Sequence, residues 1–291
     1  MRSGVFLLAL SLITFSLAQP TLEEAESAWE TEFEASLERK TGKLELLNGA
    51  ISLEIPADFY YLDSEDAKRV ITEAWDNPDG DSLGMLFPLD TSPLDYEGWG
   101  IILSYKDIGY VKDADAANIN YDYLLAELQR GSEYSNERRE VLGYDIVELV
   151  GWVNSPFYDE ASNILFWAQE LAFGDSPEHT LNYNVDILGR SGVLNLNAVA
   201  NMKQFGAIEN KIGDITEAIE FTAGNHYDDY DSTTDKSAGY GLARLITHRE
   251  SSQDSATYAL YQASPALILV VVGILMLITP IVANRLIPEH A

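Results

Sequence analysis

From Thr180 to Ala200 apolar and polar residues alternate on both sides of a short turn, TLNYNVDILGRSGVLNLNAVA. A two-residue turn at Arg190-Ser191 sets Gly189 against Gly192, Ile187 against Leu194, Val185 against Leu196 and Tyr183 against Ala198. The intervening pairs are Asp186 with Asn195 and Asn184 with Asn197. One face of this hairpin is wholly apolar and the other wholly polar. A slip of one residue would exchange them, so the pattern itself specifies the register. The polar face is expected to meet water, the alternative being a ligand-facing or hydrogen-bonded asparagine cluster.

Helical periodicity appears on either side. Met202, Phe205, Ile208, Ile212, Ile215 and Ile219 recur every three or four residues and predict one buried stripe over 201–220. Tyr121, Leu124, Leu125 and Leu128 do the same for a helix from Asn120 to Val141. SEDAKRVITEAW, residues 64–75, reads as a helix with Asp63 as N-cap and Asn77-Pro78-Asp79-Gly80 as its end. Residues 21–40 carry acids early and Arg39-Lys40 late, the order that suits a helix dipole, with Trp29 and Phe33 on one face. KLELL and ISLEI flank Asn48-Gly49, a hairpin signal. LGMLF, GWGIILSY, YDIVELVGWV and NILFWAQELAF read as further strands. Antiparallel hairpins with interspersed helices predict an α+β sandwich, a largely antiparallel sheet with helices packed on it. Trp75, Trp99, Trp152 and Trp167 fall to core and sheet-edge packing.

Two apolar segments stand outside this pattern. Residues 1–18 have a basic Arg2, an apolar run from Val5 to Phe15 and the small pair Ser16 and Ala18, the signature of a signal peptide cut after Ala18. No charged residue occurs between Asp254 and Arg285, and PALILVVVGILMLITPIV predicts one transmembrane helix over 258–284. The expected layout is therefore a signal peptide (1–18), an acidic helix (19–42), an extracytoplasmic α+β domain (43–250), the span, and a short cytoplasmic tail (285–291). That places a single-pass protein in a membrane, with its main domain on the extracytoplasmic side.

Formal net charge is −29. Such a surface repels phosphate backbones, which excludes nucleic acid as a partner, and attracts cations or basic proteins. The chain has no cysteine, so disulfides and thiol catalysis are excluded.

The stretch NHYDDYDSTTDKSAGYG, residues 225–241, collects Asp228, Asp229, Asp231 and Asp235. Calcium takes about six to eight oxygen ligands, and closely spaced aspartates supply several. Asp229, Asp231 and Asp235 form a speculative calcium site of this kind. It is not an EF-hand, because Thr234 and Tyr240 stand where that loop needs glycine and glutamate. The competing reading is a polar loop whose aspartates cap turns, with Asp235 as N-cap of a helix beginning in KSAGYGLARLI. His226 beside these carboxylates could serve as a general base. The histidines, His179, His226, His248 and His290, are not paired at zinc spacing. Gly189-Arg190-Ser191-Gly192 is a strand–turn–strand and not a nucleophile elbow. Gly239-Tyr240-Gly241 echoes a potassium filter in letters only, and no glycine-rich phosphate loop is present. No convergent catalytic set emerges. The leading expectation is a non-enzymatic envelope protein that binds a protein partner or a cation, with no cofactor other than calcium. The rival is an envelope hydrolase using His226 with Asp229, Asp231 or Asp235.

Several stretches resemble a family of uncharacterised, membrane-anchored bacterial proteins known as a domain of unknown function. They are IPADFYYLDSEDAKRVITEAWDNP, WGIILSYKDIGYVKDADAANINYDYLL, GYDIVELVGWVNSPFYDEASNILFWAQEL, the hairpin above and HYDDYDSTTDKSAGYG, within residues 43–245. The resemblance implies a bacterial envelope location, in the cytoplasmic membrane with the main domain periplasmic, and no activity. At fold level the order of elements is also similar to the sandwich of photosystem accessory and Ran-binding proteins.

Overall fold

The computed structural model describes residues 21–77 and 80–247. The segments read as signal peptide (1–18), transmembrane helix (258–284) and tail (285–291) lie outside the described residues. Among the described residues no helix is long and apolar enough to cross a membrane.

The acidic N-terminal segment forms α1 (Leu22–Ser36). It starts at a capping box, in which Glu24 N–H donates to Thr21 Oγ1 at 3.2 Å and Thr21 N–H donates to Glu24 Oε2 at 2.8 Å. Trp29 and Phe33 stack along it with ring centroids 5.1 Å apart. This helix belongs to a compact unit separate from the body that begins at Leu37.

In that body the described residues form two antiparallel sheets. The smaller joins β1 (Lys43–Leu46), β2 (Ile51–Glu54) and β11 (Ile219–Phe221) in the order β1-β2-β11. The larger contains β3 (Phe59–Asp63), β4 (Gly84–Pro88), β5 (Gly100–Lys106), β7 (Val147–Asp159), β8 (Ile164–Phe173), β9 (Thr180–Leu188) and β10 (Val193–Asn201). Its order is β3-β4-β5-β10-β9-β8-β7, so the β9–β10 hairpin lies in the middle and β7 at one edge. A short parallel pair, β6 (Tyr110–Lys112) with β12 (Ser237–Gly241), stands apart. The helices of the body are α2 (Ser64–Arg69), α3 (Tyr121–Leu142), α4 (Phe205–Glu217) and α5 (Leu242–Thr247).

The hairpin register is the one the alternation demands: Ile187 faces Leu194, Val185 faces Leu196, Asp186 faces Asn195 and Asn184 faces Asn197. Asn48 sits in the left-handed region at φ 57° between β1 and β2, and Asp63 caps α2 by accepting from Glu65 and Asp66 N–H. Asn120 caps α3, and Gly143, at φ 81°, ends it.

The polar face of the hairpin departs from expectation. It does not meet water, because both faces of the large sheet are covered. On one face Val185, Leu194 and Leu196 pack with Ile51 and Leu53 of the small sheet and with Ile208, Ile212 and Ile215 of α4. On the other, Leu165, Trp167 and Leu171 pack with Leu124 and Leu128 of α3 and with Leu242 and Leu245 of α5. Asn182, Asn184, Asp186 and Asn195 are consequently enclosed, Asp186 at 0% exposure.

Other expectations change in detail. Ile219 leaves the helical stripe: α4 stops at Glu217, and Ile219 pairs with Leu53 as part of β11. KSAGYG is not the start of a helix. Ser237–Gly241 is β12, α5 begins at Leu242, and its cap comes from Asp115, whose carboxylate accepts from Leu242 N–H at 2.9 Å and Ala243 N–H at 3.0 Å. Gly241 permits that reach, since a Cβ there would lie 2.3 Å from Asp115 Oδ1.

Candidate functional site

The acidic loop is tied to the rest of the body at two places. Arg190, at the tip of the β9–β10 hairpin, grips Asp235 with two charge-assisted bonds, Nε to Oδ2 at 2.7 Å and Nη2 to Oδ1 at 2.9 Å. On the other side the Tyr110 ring of β6 stacks on Tyr230 and Tyr227, with centroids at 3.9 and 4.5 Å. Inside the loop, Asp231 Oδ1 accepts from Thr233 N–H and its hydroxyl, and Asp235 Oδ2 also accepts from Asp231 N–H. Asp229 accepts from His226 N–H at 2.9 Å and lies 3.2 Å from His226 Nδ1.

The three aspartates of the speculative calcium site are thus divided among separate tasks. Asp235 turns to Arg190, Asp231 to Thr233 and Asp229 to His226. Among the described residues no group of three or more His, Asp or Glu side chains is arranged to hold a metal ion. The Arg190 guanidinium holds the Asp235 carboxyl well below its ordinary value of 3.8, helped by Asp231 N–H. A depressed folded value means that the stabilisation is present above the unfolded value and is lost as pH falls. Asp235→Asn is therefore expected to lower the urea midpoint at neutral pH, with a gap from the parent that closes as pH drops below about 4. A gap independent of pH would refute the role given to this carboxylate.

Beside the loop, a cleft of about 470 Å³ opens between α4, β11 and the ends of β8 and β9. Its floor is apolar, formed by Ile164, Phe166, Ile187 and the walls of Ile219 and Phe221. Its rim carries Asp159, Glu217, Glu220 and His226, and neither lysine nor arginine lines it. His226 Nε2 is 3.8 Å from Glu220 Oε1. Asp159 accepts from Ala161 N–H and from the Ser162 hydroxyl, which pulls its carboxyl down. Of these residues only His226 stands out in the sequence as a site candidate. The floor joins the consecutive strands β8 and β9 to β11, which follows only after β10 and α4, and no local spacing signals that they meet.

The second polar assembly is the buried strip on β9 and β10. Asn195 Nδ2 donates to Asp186 Oδ1 at 2.7 Å, Asn184 Nδ2 to Asn182 Oδ1 at 2.9 Å, and Asn197 Nδ2 to Asn184 Oδ1 at 2.8 Å. This is the hydrogen-bonded asparagine cluster left open above. It is incompletely satisfied: Asp186 Oδ2, Asn182 Nδ2 and Asn197 Oδ1 find no partner among the described residues. Burial pushes the Asp186 carboxyl up, against the opposing pull of Lys106 and the Asn195 bond. Burial pulls the Lys106 ammonium down, opposed by Asp186. Its polar groups hydrogen-bond chiefly to one another.

Residues 38–278 match the model of a family described as a protein of unknown function, DUF2167. The chain belongs to this family. No curated protein gives a match. Among the solved structures to which the chain is similar are two. One is the solution structure of cyanobacterial PsbP, CyanoP, from Synechocystis sp. PCC 6803, at 11% identity over 65% of this chain and 94% of that one, with a TM-score of 0.35. The other is the Ran-binding protein Mog1p of Saccharomyces cerevisiae, at 11% identity over 67% of this chain and 100% of that one, with a TM-score of 0.31. Likeness at this level says nothing of what the chain does. The α+β class rests on the strand pairings themselves.

Proposed function

We propose that this chain is a non-enzymatic module held outside the cytoplasmic membrane of a bacterium, and that it presents the acid-rimmed cleft to a protein partner. The observation that carries this reading is the cleft itself: an apolar floor under carboxylates, with neither lysine nor arginine among them. Apolar floors with a few convergent polar groups are the common form of a binding site, and the acidic rim fits a basic partner. The tether is the apolar run from Pro265 to Val282, with the signal peptide setting its direction.

A photo-crosslinking amino acid placed in cells at position 217 or 220 tests the reading, with position 137 on α3 as control. One discrete adduct at both rim positions and none at the control is expected. Adducts of the same pattern from all three positions, or none from any, would overturn it. The tether is checked by membrane fractions that resist carbonate and a mature chain beginning at Gln19.

The hydrolase reading is favoured by one observation, the approach of His226 to Asp229 at the lip of the cleft. Asp231 and Asp235 do not join that pair, since they are committed to Thr233 and Arg190. A calcium ion at Asp229, Asp231 and Asp235 would have to take Asp235 away from Arg190. Melts of the Asp235→Asn protein with and without calcium, beside the parent, report whether it does.

A further inference from the structure

Resting on the partner-binding reading, we propose that the cleft takes an extended peptide segment of the partner, which adds as a strand to β11 and alternates basic with apolar residues. The small sheet ends at β11. Glu54 N–H donates to Ala218 O, and Thr222 N–H to Ala50 O, both at 2.9 Å, so residues 218 and 222 face β2. Facing alternates along an antiparallel ladder. The N–H and C=O groups of Ile219 and Phe221 therefore point away from β2, and none of them makes a hydrogen bond among the described residues. All of β11 lines the cleft, whereas its neighbours Ile51 and Leu53 do not, so the open edge of the strand is the cleft wall. Main-chain groups left open beside buried side chains call for a partner.

Two of the other sheet edges carry blocking residues that β11 lacks. β7, at the end of the large sheet, carries Pro156 and three register shifts that break its edge. β1 begins with Lys43. β11 reads Ile-Glu-Phe and has neither lysine nor proline.

An added strand inherits the two faces of the sheet it joins. Residues pointing as Ile219 and Phe221 do would meet Phe166 and Ile187 on the floor. Their alternates would point as Glu220 does, beside its carboxylate and that of Glu217. Glu217 is exposed and makes no ion pair among the described residues. A lysine or arginine at every second position supplies the missing charge, and the main-chain bonds supply affinity without further sequence demands.

The test uses the full chain in a non-ionic detergent and a fluorescein-labelled hexapeptide, Lys-Val-Lys-Val-Lys-Val, followed by anisotropy. Saturable binding is expected. It should weaken about tenfold or more with Glu217→Lys/Glu220→Lys, and with a peptide N-methylated at alternate residues, which cannot form the ladder. The scrambled Lys-Lys-Lys-Val-Val-Val should also be weaker, and Glu137→Lys/Glu140→Lys on α3 should change binding less than about twofold. Absence of saturation, equal binding of the N-methylated peptide, or an equal effect of the α3 charges would overturn the proposal. Adducts at positions 217 and 220 in cells without peptide binding would leave partner binding standing and remove strand addition. Failure of both removes both.

Discussion

Replacing the half-buried Lys106 by Met is expected to destabilise the body by up to about 3 kcal/mol, because it strips the fully enclosed Asp186 of a neighbouring positive charge. Lys106 lies on the same face of the sheet as Asn195, whose partner across the hairpin is Asp186. Asp186 is fully enclosed, and one of its oxygens finds no donor among the described residues. Burial pushes this carboxyl up, and Lys106 and the Asn195 bond pull against it. Without Lys106 the carboxyl rises further. A raised folded value means that the group's stabilisation is complete below the unfolded value of 3.8 and is lost as pH climbs through the folded one. The deficit of Lys106→Met should therefore be small near pH 4 and grow toward pH 8 in urea titrations. Adding Asp186→Asn should remove that pH dependence, since the titrating group is gone. A deficit that is flat with pH, or one that survives unchanged in the double variant, would show that Lys106 acts through its packed stem alone.

The same strip shows where the amino-acid pattern suffices and where it stops. The alternation from Thr180 to Asn201 gives the pairing of β9 with β10 residue by residue, because a one-residue slip would bury the wrong face. It does not give the fate of the polar face. That depends on helices α3 and α5 and on β6 and β12, which come from other parts of the chain. β3 is not legible for a related reason: Phe59, Tyr60, Tyr61 and Leu62 are all buried, so the segment has no period of two to read. Ile219 continued the helical spacing of α4 by coincidence, and tertiary pairing with Leu53 claimed it for a strand. Of the candidate sites, the acidic loop was legible as a cluster. Its closure by Arg190 was not, because the partner lies 45 positions away. The cleft left no local trace, and only His226 connects it to what the sequence suggested.

Gly192→Ala is expected to cost about as much as losing Lys106, by packing rather than by charge. A Cβ at Gly192 would lie 2.1 Å from the carbonyl oxygen of Lys106 and 2.7 Å from Tyr105 Oη. The nearer atom is backbone, in the strand that pairs with β10, and it cannot swing aside as a side chain can. Overpacking of this kind costs typically about 1–3 kcal/mol, and a main-chain obstacle puts Gly192 at the upper end. For a body of this size that corresponds to a fall in melting temperature of roughly 6–12 °C. Gly192 O also accepts from Gly189 N–H at 2.9 Å, closing the tip that holds Arg190 against Asp235. Displacement of β5 from β10 would therefore loosen the acidic loop as well, seen as faster amide exchange at Asp231 and Asp235. Gly131→Ala in the middle of α3 is the matched control. Nothing lies within 4 Å of its Cβ position, and an added methyl in a helix should stabilise by about 0.5–1 kcal/mol. Equal effects from the two substitutions would mean that the close approach of β5 to the hairpin tip is not what requires glycine at 192.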